Sequence, residues 1–485
     1  MQTYLGLDLG TSSLKALLID ENQAPIGTAS VPLTVERPHF GWSEQDPKSW
    51  ISATEAVLDQ LKAAHPAELA AVAGIGLSGH MHGATILGEG DEVLRPCIMW
   101  NDTRSHEEAK ELDTEEARAI TGNIVFPGFT APKLLWVKRH EPELFAKVKR
   151  VLLPKDYLRL WLTGEAVSEM SDSAGTSWLD TGKRDWSPVM LAKTDLPLSA
   201  MPRLVEGTES SGGLRAELAS KWGIKAGVAV AGGGGDNAAS ACGVGVVAPG
   251  TGFLSLGTSG VLFTSSAGYD PRPETALHTF CHAIPGLWHQ MGVTLSAAGS
   301  LEWLSKLLEE KPGDLTARLG DTLEGPSRLV FLPYLSGERT PHNDAAIRGV
   351  FAGLEADTDR AAMVKAVLEG VAFSMRDCVE AGGGTETVDK LIAVGAGSRS
   401  RYWLKLMATV LETEIVLPQS GDFGAAFGAA RLGLCAATGA DPLSVLTVPP
   451  LADRFQPEES LIGPFRDAYR RYRALYPAVK SVLQG

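Results

Sequence analysis

The sequence predicts an α/β protein made of two related lobes. Residues 4–7 form an apolar strand, residues 8–13 a polar turn and residues 14–19 a second apolar strand, which together predict a β-hairpin with no helix after the glycine turn. The same order of strand, Gly-Thr-Ser turn and strand recurs at residues 253–263. Strands alternate with helix-forming stretches in both halves, a pattern typical of the α/β class. A strand–turn–strand motif that occurs twice indicates two lobes with the same architecture.

The remaining elements follow from periodicity and from turn residues. Asp46-Pro47 marks the start of a helix, and residues 71–77 form a buried strand that leads into the loop 78–83. Residues 228–231 form a short strand that runs into four consecutive glycines, Gly232–Gly235, and then into a helix. The second half contains an apolar helix at 361–375, a strand at 391–394 and a last helix with Phe465, Tyr469, Tyr472 and Tyr476 at helical spacing.

Pro249 and Gly250 make the segment 244–252 the expected boundary between the lobes. The predicted domains are therefore residues 1–245 and residues 246–485.

Charge and cysteine content exclude several classes of function. The 485 residues include 44 Lys+Arg and 58 Asp+Glu, a net charge of −14, which argues against a nucleic-acid or membrane-surface partner because both need a positive field. The five cysteines are scattered, with no CxxC spacing, so we expect reduced and buried thiols. The N-terminal residues lack the pattern of a secretory signal, and no apolar run of about 18 residues occurs. We expect a cytoplasmic protein.

The two glycine-containing turns are candidate phosphate-binding loops. The first contains Gly10, Thr11, Ser12 and Ser13, and the second contains Gly257, Thr258 and Ser259. Such turns offer backbone N–H groups that a ligand can approach closely, together with hydroxyl donors. One turn alone is weak evidence, but two on equivalent hairpins predict that a phosphate chain is held from both sides of a cleft. The sequence contains no P-loop motif.

Two aspartates are candidates for the chemistry. Asp8 ends the first strand beside the first turn, where a carboxylate near phosphates requires a divalent cation such as Mg²⁺; the alternative is a turn-capping aspartate. Asp236 follows the glycine run, where a carboxylate suits a general base that accepts a hydroxyl proton during phosphoryl transfer. The alternative is that Asp236 or Asn237 only caps the following helix.

The segment 80–82 is a candidate ligand pocket. His80 and His82 lie two residues apart, but no third ligand is near in sequence, so a zinc site is disfavoured. Met81 and His82 are better interpreted as lining a pocket for a polar, hydroxylated ligand. Residues 243–248 match a dinucleotide-binding fingerprint in letters only, since a helix rather than a strand precedes them, and this disfavours a nicotinamide dehydrogenase.

Three stretches together resemble the phosphate and adenosine segments of the FGGY carbohydrate kinases, within the actin/hexokinase superfamily. They are DLGTSSLK at 8–15, LSLGTSG at 254–260 and GAGSRSRYW at 395–403. The segments 128–140 and 349–354 are similar to the two signatures of that family. The resemblance covers almost the whole chain. It implies two actin-like (ribonuclease H-like) lobes with a central cleft, ATP and Mg²⁺ as cofactors, and phosphorylation of a sugar hydroxyl.

The resemblance also implies roles for single residues. Asp236 matches the catalytic base, and Asp8 matches the aspartate that supports Mg²⁺ and the phosphates. Met81, His82 and Asn237 match substrate-binding residues. The two turns match the phosphate loops, and Gly395, Gly397 and Ser398 match the loop on the adenosine side.

Met81-His82 favours D-xylulose as the acceptor, with ribulose, glycerol or gluconate as alternatives. A switch-like ATPase that binds a protein is a rival from another class. Homodimers are common in the family, so a second copy of the chain is an expected partner. Ala396 departs from the family's usual run of glycines and leaves the adenine contacts open.

Overall fold

Two seven-stranded β-sheets organise the chain, one from each half of the sequence. The computed structural model describes residues 2–419 and 424–484. The strands of the first half are β1 (Thr3–Leu9), β2 (Ser13–Asp20), β3 (Pro25–Pro32), β4 (Glu44–Gln45), β5 (Val72–Gly79), β6 (Thr85–Leu87), β7 (Cys97–Ile98), β8 (Arg150–Leu152), β9 (Val167–Glu169), β10 (Leu179–Asp180), β11 (Asp185–Trp186), β12 (Arg203–Val205), β13 (Ser210–Gly213), β14 (Ala229–Ala231) and β15 (Gly234–Gly235). Its helices are α1 (Pro47–Ala64), α2 (Pro66–Ala70), α3 (His106–Leu112), α4 (Glu115–Thr121), α5 (Thr130–His140), α6 (Pro142–Phe145), α7 (Pro154–Thr163), α8 (Met170–Ser173), α9 (Pro188–Ala192), α10 (Ala216–Trp222) and α11 (Asp236–Val244).

The second half provides nine further strands and seven further helices within the described ranges. The strands are β16 (Thr251–Leu256), β17 (Gly260–Ser266), β18 (His278–Cys281), β19 (Trp288–Thr294), β20 (Val330–Leu332), β21 (Val350–Ala352), β22 (Lys390–Val394), β23 (Glu414–Pro418) and β24 (Leu451–Phe455). The helices are α12 (Ala298–Leu308), α13 (Pro312–Ala317), α14 (Arg360–Ala381), α15 (Arg401–Leu411), α16 (Ala425–Thr438), α17 (Pro442–Val445) and α18 (Glu459–Gln484).

The two sheets repeat one arrangement. The first sheet has the order β13-β14-β5-β1-β2-β3, and β15 pairs with the end of β5. The second has the order β18-β19-β17-β16-β22-β23-β24. In each sheet an antiparallel hairpin, β1–β2 or β16–β17, is flanked by a strand parallel to its first member, β5 or β22. The predicted α/β class and the predicted repeat of the hairpin are both confirmed.

The apolar helix predicted at 361–375 is the central part of α14, which runs from Arg360 to Ala381. It contacts β19, β17 and β20 on one side and α15, α12 and α18 on others, so nearly every residue after its first turn is buried. The aromatic residues predicted on one face of the last helix pack on it: the Phe373 ring lies 5.4 Å from the Tyr472 ring and 6.0 Å from the Tyr469 ring. An all-round apolar pattern is what a helix covered on all sides needs.

Two helices lie between the sheets. Helix α16 packs against β5 and β1 of the first sheet, while α11 packs against α16 and contributes Ala241 and Val244 to a core with strands of the second sheet. Helix α16 approaches the first sheet closely, since a Cβ on Gly6 would lie 1.9 Å from the Ala426 carbonyl oxygen. A segment from the second half of the sequence therefore completes the first lobe. The division into residues 1–245 and 246–485 as folding units stays a prediction.

Across residues 2–419 and 424–484, none of the helices combines the length and the apolar character needed to span a bilayer. The five cysteines are buried and unpaired, as the sequence predicted.

Candidate functional site

Three parallel strands bring the predicted aspartates to one edge of the first sheet. In the strand register, Asp8 of β1 lies opposite Ser78 of β5, and Ser78 lies opposite Gly234 of β15. Asp236 follows Gly235 directly as the first residue of α11. Because carboxyl ends of parallel strands share an edge, residues far apart in sequence become neighbours there.

Asp236 lies at the start of α11, but it is not the capping residue. Gly235 occupies the N-cap position, and no side chain caps the helix. The Asp236 Oδ1 accepts hydrogen bonds from the Asn237 backbone N–H at 2.8 Å and from the Asn237 Nδ2 at 3.1 Å. The capping alternative is therefore wrong, and Asn237 lies beside the carboxylate.

The environment of Asp236 suits a base. Burial, together with the nearby charge of Asp8, raises the pKa of Asp236 to about 6, although the hydrogen bonds from Asn237 act in the opposite direction. A carboxylate with this pKa is ionised at neutral pH and is more basic than an ordinary aspartate.

The glycine run before Asp236 is required by close packing within the protein. A Cβ on Gly233, whose φ is +77°, would lie 2.0 Å from the Leu77 carbonyl oxygen, and one on Gly232 would lie 2.2 Å from the Glu206 carbonyl oxygen. The side chain next to Gly235 is that of Met81, whose Cγ would lie 3.0 Å from an added Cβ. The run therefore lets the chain turn tightly beneath β5 and brings Met81 against the residue that precedes Asp236.

A buried polar network that the sequence did not reveal holds this run in place. Arg159 of α7 donates to the carbonyl oxygens of Ala231 and Gly232 and to the Ser211 Oγ at 2.7 Å. The Gly235 N–H donates to the Ser171 Oγ at 3.0 Å. These contacts fix the backbone on both sides of the run and so fix where α11 begins. They could not be found from spacing, because Arg159 and Ser171 carry no recognisable motif.

Asp8 is suited to a divalent cation. Its Oδ1 accepts from the Ser78 Oγ at 3.0 Å, and within residues 2–419 and 424–484 its Oδ2 has no hydrogen-bond partner. Burial raises the pKa of Asp8, while the Ser78 hydrogen bond and the charge of Lys15 oppose the rise. No group of three or more His, Cys, Asp or Glu side chains in the described part of the chain could hold a metal by itself. One carboxylate oxygen is what Mg²⁺ needs when substrate phosphates supply other ligands, so Asp8 fits this ion.

The first predicted phosphate turn connects β1 to β2 and is braced from outside. The Gly10 N–H donates to the Ser13 carbonyl oxygen at 3.0 Å, which closes the turn. The Thr11 Oγ1 accepts from the Trp100 Nε1 at 2.9 Å, and the Thr11 carbonyl oxygen accepts from the Gln45 Nε2 at 2.8 Å. The Leu33 N–H donates to the Ser12 carbonyl oxygen at 2.8 Å. The carbonyl oxygens of Thr11, Ser12 and Ser13 thus accept hydrogen bonds from within the protein. In its contact with Trp100 the Thr11 hydroxyl also only accepts, so its hydrogen remains available as a donor for an anion.

The second turn is held by a helix end. The Gly257 carbonyl oxygen accepts from the Ala298 N–H at 2.8 Å, and the Thr258 carbonyl oxygen accepts from the Gly299 N–H at 3.1 Å, both at the N-terminus of α12. Thr258 and Ser259 are exposed. The N-terminal end of α12 and the donors of the turn make this region favourable for negative charge.

The predicted adenosine loop packs directly on the second turn. Gly395 has φ +88°, and a Cβ there would lie 2.9 Å from the Leu256 carbonyl carbon, so only glycine fits. A Cβ on Gly397 would lie 2.8 Å from the Leu256 Cβ. The Ser398 Oγ donates to the Gly395 carbonyl oxygen at 2.7 Å, which fixes the loop.

Cavities flank this loop. One of about 620 Å³ is lined by α12, α13 and the start of α15, including Leu301, Glu302, Tyr402 and Trp403. Another of about 500 Å³ lies on the other side of the loop and reaches Ser240 of α11. The residues from α12 and α13 were not predicted from the sequence.

His82 is held in a strained conformation by several contacts. Its φ is +69°, in the left-handed region that non-glycine residues rarely adopt. The His82 carbonyl oxygen accepts from the Lys133 Nζ at 2.8 Å and from the Thr130 Oγ1 at 3.1 Å, both on α5. The ring stacks on Phe129 with centroids 4.5 Å apart. Such strain persists only where the surroundings fix it.

The contacts also define the protonation state of the His82 ring. Burial lowers the pKa of His82 to about 3, so the ring is neutral at pH 7. The Nδ1 lies 2.7 Å from the Gly175 carbonyl oxygen, which can only accept, so Nδ1 carries the hydrogen. Nε2 is therefore an acceptor, suited to a hydroxyl of a ligand. Met81 lies on the same side, because a Cβ on Gly175 would come within 2.9 Å of the Met81 Cε and 2.6 Å of the His82 Nδ1.

The fold defines a two-domain α/β protein of the actin-like ATPase type, in which a duplicated hairpin carries the two predicted phosphate turns and Asp236 lies at the strand edge beside the first of them. Sequence comparison shows the family. Residues 3–243 match the N-terminal domain and residues 252–437 the C-terminal domain of the FGGY family of carbohydrate kinases. The chain belongs to this family and is a carbohydrate kinase.

Several individual relatives are similar over nearly their whole length. The chain is 46% identical to the xylulose kinase of Escherichia coli (strain K12) over 479 residues, which cover 98% of each chain. The crystal structure of a xyloylose kinase from Brucella ovis is 61% identical and superposes with a TM-score of 0.97 over 99% of this chain and 100% of that one. A xylulose kinase structure from Rhodospirillum rubrum is 30% identical with a TM-score of 0.92, and both chains are fully covered.

Proposed function

We propose that this protein transfers the γ-phosphoryl group of ATP to the terminal 5-hydroxyl of D-xylulose and forms D-xylulose 5-phosphate. The observation that carries the proposal is the position of Asp236, a carboxylate whose pKa lies near 6, at the strand edge that also holds Asp8. The relatives named above support D-xylulose as the acceptor.

In the proposed reaction the 5-hydroxyl gives its proton to the Asp236 carboxylate. The hydroxyl oxygen forms a bond to the γ-phosphorus while the bond from this phosphorus to the oxygen bridging to the β-phosphate breaks, and ADP leaves with that bonding pair. The N–H and hydroxyl donors of the turns at 10–13 and 257–259 bind the phosphate oxygens. Asp8 would hold Mg²⁺ together with phosphate oxygens, and the ion would supply positive charge that offsets the charge of the transferring group.

We propose that the adenine ring binds in the cavity of about 620 Å³. Leu301, Tyr402 and Trp403 give it apolar and aromatic walls, and the Glu302 carboxylate gives it an acceptor for an amino group. The loop at Gly395–Ser398 connects this cavity to the second phosphate turn, because Gly395 lies against Leu256 and Gly257.

Met81, His82 and Asn237 bind the sugar, with the His82 Nε2 as a hydroxyl acceptor. Closure of the two lobes excludes water, which would otherwise hydrolyse ATP.

An ADP-release assay with MgATP across a panel of pentuloses, polyols and gluconate tests this proposal. D-Xylulose should give the highest kcat/KM, and ³¹P NMR should place the phosphate on the 5-oxygen. Asp236→Asn should lower kcat by about 10²- to 10⁴-fold and leave ADP binding intact, and removal of Mg²⁺ by chelation should abolish transfer. ATP turnover that does not depend on sugars would instead support a switch-like ATPase. A higher kcat/KM for ribulose, glycerol or gluconate would identify that compound, rather than D-xylulose, as the acceptor.

The buried, unpaired cysteines are consistent with the reducing cytoplasm, which we propose as the location of the protein. A homodimer is proposed from the family alone, and sedimentation of the purified chain measures it.

A further inference from the structure

Arg339 of the second lobe extends toward the aromatic layer that supports His82 of the first lobe. Its guanidinium carbon lies 5.4 Å from the centroid of the Phe126 ring. Phe126 contacts Phe129 edge-on at 5.5 Å, and His82 stacks on Phe129. The charge of Arg339 also lowers the pKa of His82 and of His278, so the guanidinium is within electrostatic reach of both rings. Arg339 therefore borders the predicted sugar pocket from the second lobe.

The backbone around Arg339 is fixed, whereas its guanidinium group is unpaired. The Arg339 N–H donates to the Glu338 Oε1 at 2.8 Å, and the Glu338 carboxylate also accepts from Thr294 and Leu295 at the end of β19. The Thr340 N–H donates to the Val293 carbonyl oxygen at 3.1 Å. In the part of the chain that the structure describes, the guanidinium makes no hydrogen bond or ion pair, although the residue is half-buried.

An unpaired guanidinium in such a position calls for a ligand. The residue keeps part of its surface exposed, so water reaches its five N–H donors, and a ligand with oxygen acceptors would replace that water. A neighbouring group is buried and unpartnered: the His278 Nδ1, beside Phe126, has no hydrogen bond among the described residues. A buried imidazole nitrogen and a guanidinium without protein partners around one aromatic layer indicate that a polar ligand completes this side of the pocket.

The reaction proposed above, on which this inference rests, defines the chemistry of that ligand. In a 2-ketopentose the 5-hydroxyl is the group that closes the furanose ring, so a ketose that is phosphorylated there must be in its open-chain form. The open-chain form carries a carbonyl oxygen at C2, which is an acceptor and cannot donate. Asp236 lies at the strand edge that also holds Asp8, whereas the Arg339 guanidinium lies against Phe126 of the aromatic layer, so the base and the guanidinium are assigned to different ends of the pocket.

We propose that Arg339 is a specificity-determining residue that donates hydrogen bonds to the C2 carbonyl oxygen of the open-chain ketose. The contact favours the reactive open-chain form over the furanose. It also favours a ketose over the pentitol of the same chain length, which has a hydroxyl at C2.

The test compares the kcat/KM for D-xylulose with that for xylitol in the full-length protein and in Arg339→Gln. The ratio should fall by about 10- to 100-fold in the variant, because the C2 carbonyl oxygen can only accept and depends on this charged donor, whereas the C2 hydroxyl of xylitol can also donate to another acceptor. 1-Deoxy-D-xylulose, which keeps the C2 carbonyl and lacks the C1 hydroxyl, should depend on Arg339 as D-xylulose does. Arg348→Gln is the matched control, since Arg348 is exposed and, among the described residues, donates only to backbone carbonyl oxygens.

ADP binding measured by calorimetry reports the folded fraction of each variant, so a folding defect is not mistaken for lost specificity. An unchanged ratio in Arg339→Gln would overturn the inference while the proposed function stands. An equal loss for D-xylulose and xylitol would also overturn it and place Arg339 in phosphoryl transfer. A wild-type protein that phosphorylates none of these sugars would overturn the proposed function, and this inference with it.

Discussion

Asp8 and Asp236 show how two neighbouring carboxylates acquire different chemistry. Burial raises the pKa of both, and the charge of Asp8 adds to the rise at Asp236. At Asp8 the Ser78 hydroxyl and the charge of Lys15 oppose this rise in pKa, which favours the ionised form that the proposed Mg²⁺ site needs. The hydrogen bonds that Asp236 accepts from Asn237 do not cancel the effect of burial, and its pKa is about 6. Asp236 is therefore more basic than an ordinary aspartate, as a proton acceptor should be.

The pKa of Asp236 predicts the pH dependence of the enzyme. Only the deprotonated carboxylate accepts a proton, so kcat/KM for D-xylulose should be constant above pH 7 and should fall as the pH drops through about 6. Well below that pH, we expect roughly a tenfold loss for each further pH unit. The ADP that is formed is measured by chromatography, because the activity of a coupling enzyme would itself depend on pH. A profile that stays flat down to pH 5 would contradict Asp236 as the base, and Asp236→Asn should give a low rate without this acid limb.

His82 depends on α5 for its position. Its left-handed backbone costs of order 1–3 kcal/mol, and the hydrogen bonds from Lys133 and Thr130 to its carbonyl oxygen offset a cost of this size. Lys133 is fully buried, and burial lowers its pKa to about 7. Its Nζ also donates to the Gly128 carbonyl oxygen at 2.7 Å. Its role is to join the His82 loop to the start of α5.

Lys133→Met should therefore weaken sugar binding more than catalysis. We expect the KM for D-xylulose to rise by roughly 5- to 30-fold, which corresponds to 1–2 kcal/mol, with a smaller change in kcat. Lys138→Met is the control, because Lys138 lies on the same helix and pairs with Asp195 at the surface. Steady-state kinetics with saturating MgATP measures both variants. An unchanged KM in a folded Lys133→Met protein would show that the brace is not needed.

At the scale of elements, the features predicted from the sequence are those that depend on residues close together in the chain. The hairpins β1–β2 and β16–β17 and the buried helix α14 follow from patterns within a few residues of one another. The sequence also placed Asp8 and Asp236 at strand ends, but their meeting depends on the register of β1, β5 and β15, which no local pattern contains. Arg159 and Ser171 were missed for the same reason, since each acts on a backbone far away in the sequence. The position of α16 on the first sheet was missed as well.

The contact between α11 and α16 depends on a glycine. A Cβ on Gly428 of α16 would lie 1.7 Å from the Ala239 carbonyl oxygen of α11, so any side chain there must push the helices apart. Because α11 begins with Asp236, such a movement would displace the proposed base from the strand edge. The helix pair therefore links packing between the lobes to the position of that residue.

Gly428→Ala should destabilise the protein by about 1–3 kcal/mol through overpacking, with a lower kcat for D-xylulose phosphorylation. The matched control is Gly463→Ala in α18, where an added Cβ meets nothing within 4 Å beyond the neighbouring residues of its own helix. In that open position alanine should change the stability by less than about 1 kcal/mol, because its higher helix propensity is opposed by the contact of its Cβ with the ring of Pro464, which follows it. Thermal melting and kcat are measured on both variants. Equal melting temperatures for the two would contradict the importance of this close contact.

For the whole molecule, a net charge of −14 is compatible with the proposed binding of ATP. The proposed donors for phosphate are local, at the turns after β1 and β16, and the positive dipole end of α12 lies beside the second turn. Arg339 approaches the pocket from the second lobe while Asp236, Met81 and His82 belong to the first. The proposed site is therefore complete only when both lobes are present and correctly placed. The helices between the sheets, α11 and α16, are the elements that determine this placement.

The return of α16 to the first sheet predicts how the chain behaves when it is divided. A fragment of residues 1–245 contains the whole first sheet, but it lacks α16, which covers β1 and β5. Glycines such as Gly6 and Gly76 line that face, and Cβ atoms there would lie 1.9 Å and 1.8 Å from α16 carbonyl oxygens. In the fragment this face of the sheet, which is shaped to fit the α16 backbone, is exposed to water together with the apolar residues of its strands. We therefore expect the fragment to aggregate or to lack a cooperative thermal transition.

Co-expression of residues 1–245 with residues 246–485 should restore a folded complex, because the second fragment supplies α16. Size-exclusion chromatography and circular dichroism compare the single fragments with the pair, and D-xylulose phosphorylation reports whether the site has formed. A fragment of residues 1–245 that melts cooperatively on its own would show that α16 is dispensable for the first lobe. In that case the predicted boundary near residue 245 would separate true folding units. If only the pair folds, the two lobes form one cooperative structure in which the last third of the sequence stabilises the first.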